Sequence, residues 1–257
     1  MPTSTPDALW SSPAASRLRP VAVEVKDLAR RVGNQRLLDG IELAVPVGRR
    51  VLLAGVDAEA PSLLLRIMAG LARADRGTVT LAGLKRGSAI PEGWARRIGF
   101  VGSDPGIPLW MTAAESLDLA ARLSGIDGPD RERRIEESLQ RFQLGAIRDR
   151  PLQHAGRIIL ERTALAAALL PDPEVLLLDE PLRTAAAPDR LRLLRIPGER
   201  RTVLIASRYP ALQGGVVDRA VLIRDGRVTI HAPISELDAQ RLPLSLRGLT
   251  ALADLVS

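Results

Sequence analysis

The chain has 257 residues, of which 46 % are hydrophobic and 26 % charged, a balance typical of a globular protein. It has no cysteine and two histidines, His154 and His231, which excludes disulfides and thiolate chemistry and disfavours zinc bound by histidine. The net charge is +6, but basic residues are scattered among acidic ones and aromatic residues make up only 2 %. We therefore expect a solvated surface or contact with an anionic membrane face, and no nucleic-acid binding.

The first 20 residues are rich in Pro, Ser, Thr and Ala and contain no apolar run. They predict a flexible tail and not a secretory signal. Elsewhere no apolar run reaches the roughly 18 residues that a membrane-spanning helix needs. The sequence therefore predicts a cytoplasmic chain that is either soluble or attached to a membrane surface.

The next part of the chain alternates between strand and helix patterns. We predict strands at 21–26, 41–45 and 49–54, a helix at 62–71, and strands at 78–81 and 98–101. The segment VLLAG at 51–55 is almost entirely apolar, as expected of a strand buried on both faces.

The middle of the chain is helical in pattern. Thr112 and Glu115 predict a capping box that begins a helix reaching about residue 124. Further helices are predicted at 130–142 and 157–170, followed by strands at 175–178, 203–206 and 220–224. The sequence thus predicts an α/β fold whose core sheet is interrupted by a helical lobe.

The strongest single motif is EVLLLDEP at 174–181, an apolar strand that ends in Asp179 and Glu180. In nucleotide hydrolases such a pair orients Mg²⁺ through the aspartate and polarises the attacking water through the glutamate. Taken alone, the two acids are equally well explained as the polar end of a strand. The motif therefore needs support from other segments.

That support comes from several separated segments in the same order. They include LLDGIELAVPVGRRVLLAG, LLLRIMAGLARADRGTVTLAG, RTVLIASRYP and VVDRAVLIRDGRV. Together they resemble the ATP-binding cassette of ABC transporters, from about residue 21 to residue 237. The resemblance implies a P-loop NTPase-like (RecA-like) core sheet flanked by helices, with a helical subdomain inserted at about 106–160. Residues 1–20 would then be a tail and 238–257 a C-terminal extension.

The phosphate loop of this family, GxxxxGK[ST], corresponds here to GVDAEAPSL. Gly55 and Ser62 fit that pattern, whereas Ala60, Pro61 and Leu63 replace a glycine, the lysine and a hydroxyl residue. Pro61 offers neither an N–H group nor a cation to phosphate, although it suits the first turn of a helix. The resemblance therefore implies ATP and Mg²⁺ as ligands, with Ser62 and Asp179 on the metal, but we expect nucleotide binding to be weak or absent.

Other family positions depart from the pattern in the same direction. The adenine-stacking aromatic corresponds to Val32, the γ-phosphate-sensing glutamine to Ser103, and the switch histidine to Arg208. The signature LSGGQ corresponds to residues 155–159, AGRII. Glu180 would keep the catalytic position but stay idle. We predict that Arg208 forms an ion pair with Glu180 or Asp179, although a solvated loop arginine is the alternative.

The resemblance also implies partners, namely a membrane permease and a second cassette in a homo- or heterodimer. Ile107, Leu109 and Trp110 occupy the position where the family receives the permease. Trp110 as a partly exposed core aromatic is the alternative interpretation.

Three functional hypotheses follow from the sequence. The first is a degenerate cassette subunit that docks on a permease at the inner face of the membrane and hydrolyses ATP weakly or not at all. The second is a transporter ATPase that still hydrolyses ATP through Asp179 and Glu180. The third is a soluble ABC protein without a transport role.

Overall fold

A computed structural model describes residues 20–86, 89–198 and 200–256 of the chain. The predicted tail therefore lies outside the described residues except for Pro20. The strands are β1 (Val21–Val32), β2 (Gln35–Pro46), β3 (Arg50–Gly55), β4 (Arg76–Leu81), β5 (Leu84–Arg86), β6 (Ile98–Val101), β7 (Val175–Asp179), β8 (Thr202–Ala206), β9 (Arg219–Arg224) and β10 (Arg227–Pro233). The α-helices are α1 (Glu59–Ala69), α2 (Trp94–Arg97), α3 (Ala113–Leu123), α4 (Gly128–Arg141), α5 (Arg157–Leu169), α6 (Ala187–Arg195), α7 (Ile234–Ala239) and α8 (Leu246–Val256).

The core is a six-stranded sheet in the order β10-β9-β3-β8-β7-β6. The strand pairs β6–β7, β7–β8, β8–β3 and β3–β9 are parallel. The edge strand β10 is antiparallel to β9. Every residue of β7 and β8 is buried, because a parallel sheet is covered on both faces. This explains the continuous apolar runs of the sequence and confirms the predicted α/β class.

A second sheet, in the order β2-β1-β4-β5, is antiparallel. Here β1 and β2 are longer than predicted and meet in a hairpin at Gly33, which has a positive φ of 59°. The sequence missed the hairpin tip because its residues, RRVGNQR, are exposed on both faces and carry no apolar alternation.

The helical lobe begins with α3, where Thr112 and Glu115 form the predicted capping box. In contrast, α4 starts at Gly128, two residues before the predicted position, and two short 3-10 helices lie between α4 and α5. The predicted lobe boundary at about residue 160 falls within α5. The helix α5 belongs to both parts, because it packs against α3 and also against β6.

The predicted C-terminal extension contains α8, which packs against β9 and β10. Its predicted start after residue 237 falls within α7, and α8 places Leu249 and Leu252 in the hydrophobic core that includes β9. The sequence-based elements include no helix there, because α7 has only six residues and α8 follows a Pro-containing loop. In the described parts of the chain, no helix is long and apolar enough to cross a membrane.

Two arginines close the ends of helices with their guanidinium groups. Arg86 donates to the carbonyl oxygens of Ile67 and Ala72 at the end of α1, and only 7 % of its surface is exposed. Arg50 likewise donates to the carbonyl oxygens of Leu194, at the end of α6, and of Val216. Both arginines thus donate to backbone carbonyl oxygens at a helix end and in an adjacent loop, where carbonyl groups lack the partners of a continuous helix.

Candidate nucleotide site

A cleft of about 570 Å³ lies beyond the carboxyl end of β7, where ligands bind in open parallel sheets. The cleft brings together seven residues that the sequence singled out, from five separated segments: Val32, Ser62, Leu63, Ser103, Asp179, Glu180 and Arg208. Gly55 and Pro61 do not line it. The cleft thus brings these seven residues together, and within the phosphate loop it is lined by Ala58, Glu59, Ser62 and Leu63.

Gly55 and Pro61 pack directly against each other at the start of α1. A Cβ atom on Gly55 would lie 2.4 Å from the carbonyl oxygen of Asp57 and 2.7 Å from Cδ of Pro61. Pro61 and Ala60 are buried in the first turn of α1. The position that the family gives to a phosphate-binding lysine thus holds a ring packed on the backbone of the loop itself.

Asp57 ties the same loop to the neighbouring hairpin. Its Oδ1 accepts a hydrogen bond of 2.9 Å from the Glu59 backbone N–H, and its Oδ2 accepts one of 2.6 Å from Gln35 Nε2. Sequence reasoning missed this link, since Gln35 and Asp57 are separated along the chain and neither stands out locally.

Asp179 ends β7 and faces the start of α1. Ser62 Oγ donates to Asp179 Oδ1 over 2.7 Å. Burial raises the pKa of Asp179 and is the dominant effect; the Ser62 hydrogen bond lowers it, and the charge of Glu180 raises it further. Arg66 and Arg208 act in the opposite direction without reversing the shift.

Glu180 is held by Arg208 through two contacts to the same oxygen. The backbone N–H of Arg208 donates to Glu180 Oε1 over 2.7 Å, and Arg208 Nε lies 3.1 Å from that oxygen. The Glu180 side chain is 9 % exposed and that of Arg208 50 %. The predicted ion pair is confirmed, with Glu180 as the partner, and the alternative of a solvated loop arginine is wrong.

The cations that line the cleft are Arg66 and Arg208. The two lysines of the chain, Lys26 and Lys85, do not line the cleft. Lys26 pairs with Glu24. Arg66 lies one helical turn after Ser62, and this i, i+4 spacing was the signal that could have identified it.

Only part of the site fits a magnesium nucleotide. The Ser62 hydroxyl and the Asp179 carboxylate are oxygen donors of the type Mg²⁺ prefers. Within the described residues, however, there is no group of three or more His, Cys, Asp or Glu residues that would hold a metal alone. The phosphate half does not fit, because Pro61 and Ala60 replace the groups that would bind phosphate. We therefore derive no catalytic step through ATP.

The segment at the signature position also contacts other residues of its own chain. Arg157, the first residue of α5, donates from Nε to Glu161 Oε1 over 2.8 Å and from Nη2 to the Ser103 carbonyl oxygen. A glycine-rich segment would leave its backbone N–H groups open at this helix end. Here a large side chain lies against the residues of its own chain.

A second and larger cavity lies on the helical lobe. This groove of about 890 Å³ runs between α3 and α4 and is lined in part by Trp110, Met111, Ala114, Leu119 and Ile135. Trp110 is 75 % exposed, so the alternative of a partly exposed core aromatic is wrong. Leu109 is also exposed, and Ile107 is partly buried, with one side packed against the hydrophobic core. The assignment of these residues to a permease contact stays a prediction.

The strand β3, the loop that follows it and α1 lie beside two adjacent acids at the end of β7, with β8 between the two strands. This arrangement defines a P-loop-type ATPase cassette. The family model described as ABC transporter matches residues 38–183. The chain belongs to the ABC transporter family and is an ATP-binding cassette of that family.

Individual relatives agree with this assignment. The cobalt import ATP-binding protein CbiO of Rhodobacter capsulatus is 30 % identical over 84 % of this chain and 80 % of its own length. The nickel import ATP-binding protein NikO of the same organism is 32 % identical over 79 % of this chain and 85 % of its own length. The structure of cbiO1 from Clostridium perfringens, part of the ABC transporter complex cbiONQ, has a TM-score of 0.74 at 21 % identity. It covers 86 % of this chain and 92 % of that one, so it supports the fold.

Proposed function

We propose that this chain is a degenerate cassette subunit that docks on a membrane permease and has lost effective ATP hydrolysis. The observation that carries the proposal is the burial of Ala60 and Pro61 in the first turn of α1, because these two residues occupy the positions of the phosphate-binding glycine and lysine. The loss of two charge-assisted contacts, at roughly 1.5–3 kcal/mol each, would weaken ATP binding by about 10²–10⁴-fold.

The Arg208–Glu180 contact supports the same conclusion. A catalytic glutamate must be free to orient water, and here its Oε1 accepts two hydrogen bonds from Arg208. The planar guanidinium can hold a carboxylate in a way that a histidine cannot. The switch segment is therefore fixed by a contact within the protein.

The groove on the helical lobe is the surface that we assign to the permease. Its floor is apolar, and its charged lining consists of four acids and two arginines: Glu115, Asp118, Glu132, Glu136, Arg122 and Arg148. The internal pairs Arg122–Asp118 and Arg148–Glu136 leave Glu115 and Glu132 without an ion pair among the described residues, although Glu115 accepts a hydrogen bond in the capping box. A short amphipathic helix with basic residues beside its apolar face would fit this lining.

The relatives support a transport role through what their names state. CbiO and NikO are named as import subunits, and cbiO1 is part of a larger transporter complex. By analogy, this chain would lie at the inner face of the membrane, beside a permease and a second, competent cassette. It would then serve as a docking or regulatory subunit.

Titration calorimetry with Mg-ATP tests the proposal on the isolated chain. We expect an affinity no tighter than the high micromolar range, and low-micromolar affinity would refute the loss of nucleotide binding. Changing Pro61→Lys alone should not produce hydrolysis, because Ser103, Arg208 and the signature position would remain unchanged. Recovery of turnover by that single change would show that Pro61 is the sole defect.

A competent ATPase is the second candidate, and the Ser62–Asp179 contact favours it, since these oxygens face each other as a metal site requires. A steady-state phosphate-release assay separates the two candidates when Glu180→Gln serves as the background control. Turnover in the parent chain that disappears in Glu180→Gln would establish the ATPase. Equal, background-level release from both proteins supports the degenerate subunit.

A further inference from the structure

Arg157 joins two parts of the molecule that are distant in sequence. Its guanidinium contacts Glu161, one turn along α5, and the carbonyl oxygen of Ser103, in the loop that follows β6. The loop belongs to the sheet domain, whereas α5 packs against α3 of the helical lobe. A single side chain therefore bridges the lobe and the wall of the cleft.

The contact with Glu161 is more than a surface ion pair. The Glu161 side chain is 8 % exposed, and its Oε2 is buried without a hydrogen-bond partner in the described residues. Removing the partner of a buried charge leaves that charge uncompensated, which is far more unfavourable than losing an exposed pair. Arg157 is therefore held in place by the need to neutralise Glu161.

The position of Ser103 gives this contact its significance. Ser103 lines the cleft together with Asp179 and Glu180. A movement of the helical lobe relative to the sheet would have to break the bond from Arg157 to the Ser103 carbonyl oxygen or carry the cleft wall with it. The bond therefore couples the start of α5 to the wall of the cleft.

We propose that Arg157 is an internal clamp that fixes the orientation of the helical lobe relative to the six-stranded sheet without any nucleotide. The inference does not depend on the identity of a docking partner or on whether ATP binds. It predicts a narrow range of lobe orientations in the isolated chain and a wider range of orientations after Arg157 is replaced.

The absence of cysteine makes a direct distance measurement straightforward. Thr229→Cys on β10 and Gln140→Cys on α4 place spin labels at exposed positions of the six-stranded sheet and of the lobe. Without nucleotide, we expect a narrow distance distribution in the labelled parent and one broader by several ångströms after Arg157→Ala. Arg157→Lys should be intermediate, since an ammonium can neutralise Glu161 but lacks the fork that also reaches Ser103.

Arg133→Ala is the matched control, because Arg133 pairs with Asp130 and Glu137 inside α4. It should leave the distribution unchanged. If Arg157→Ala fails to fold, Arg157→Ala with Glu161→Gln removes the clamp and the buried charge together and gives the same readout. An unbroadened distribution in a folded variant without Arg157 would overturn the proposal, whatever the ATP titration shows.

Discussion

The two cavities of this cassette differ in how far their key residues are engaged by the chain itself. In the cleft, the acids are engaged by the chain itself, Asp179 by Ser62 and Glu180 by Arg208. In the groove, Trp110 is mostly exposed and Glu132 has no ion pair in the described portion. The comparison indicates that the cleft has its binding groups satisfied internally, whereas the groove retains groups suited to an outside partner.

The largest effect is expected where the cleft loop closes on itself. Gly55→Ala places a Cβ atom against the backbone of Asp57 and the ring of Pro61, and should destabilise the fold by about 3 kcal/mol. Gly145→Ala is the control, since no atom lies near its added Cβ. Chemical denaturation measures both. A Gly55→Ala protein as stable as the Gly145→Ala control would show that the loop opens easily.

Trp110→Ala tests the open side of the comparison. Because the side chain is mostly solvent-exposed, stability should change by less than about 0.5 kcal/mol. Affinity for a permease should nevertheless fall by about 2 kcal/mol, or roughly 30-fold, if Trp110 is a central anchor. Co-purification and titration with the permease measure the loss. Leu123→Ala, which is exposed but outside the groove, is the control and should bind normally.

Arg208→Ala should have a smaller effect on the cleft. It removes the side-chain contact to Glu180 and leaves the backbone hydrogen bond in place, so we expect a loss of about 1 kcal/mol after allowing for solvent at the half-exposed arginine. Thermal unfolding of this variant is compared with Arg133→Ala, an exposed arginine in α4. Identical midpoints would mean that Arg208 contributes nothing beyond an ordinary surface charge.

The smallest expected effect is a pH dependence. A raised carboxyl pKa means that the folded chain binds the proton more tightly, so Asp179 lowers stability as pH rises from the ordinary carboxyl range through the raised pKa. Asp179→Asn should remove this decline while its side-chain oxygen can still accept from Ser62. The measurement is the denaturation midpoint of the parent minus that of the variant, determined across that pH range. If the parent gained stability relative to the variant as the pH rose, the prediction would be wrong.

The sequence predicted those parts of the site that sit at the ends of regular elements. The sequence was sufficient to predict the places of Asp179, Glu180 and Ser62, because an apolar strand and an amphipathic helix fix their positions. The sequence could not predict the Gln35–Asp57 and Arg157–Ser103 contacts, since each joins residues that are distant along the chain and that only the fold brings together. The partial packing of Ile107 on the core was missed because no periodic pattern surrounds it.

The arginines that close α1 and α6 bear on how this chain meets charged surroundings. Burial lowers the pKa of Arg50 and Arg86, and their N–H groups point at backbone carbonyls inside the protein. Such groups act as forked backbone donors, and a guanidinium engaged with carbonyl oxygens cannot at the same time bind a phosphate or carboxylate in bidentate fashion. Both arginines still count in the net charge of +6 and in its long-range attraction for an anionic surface, but they offer that surface no direct contact.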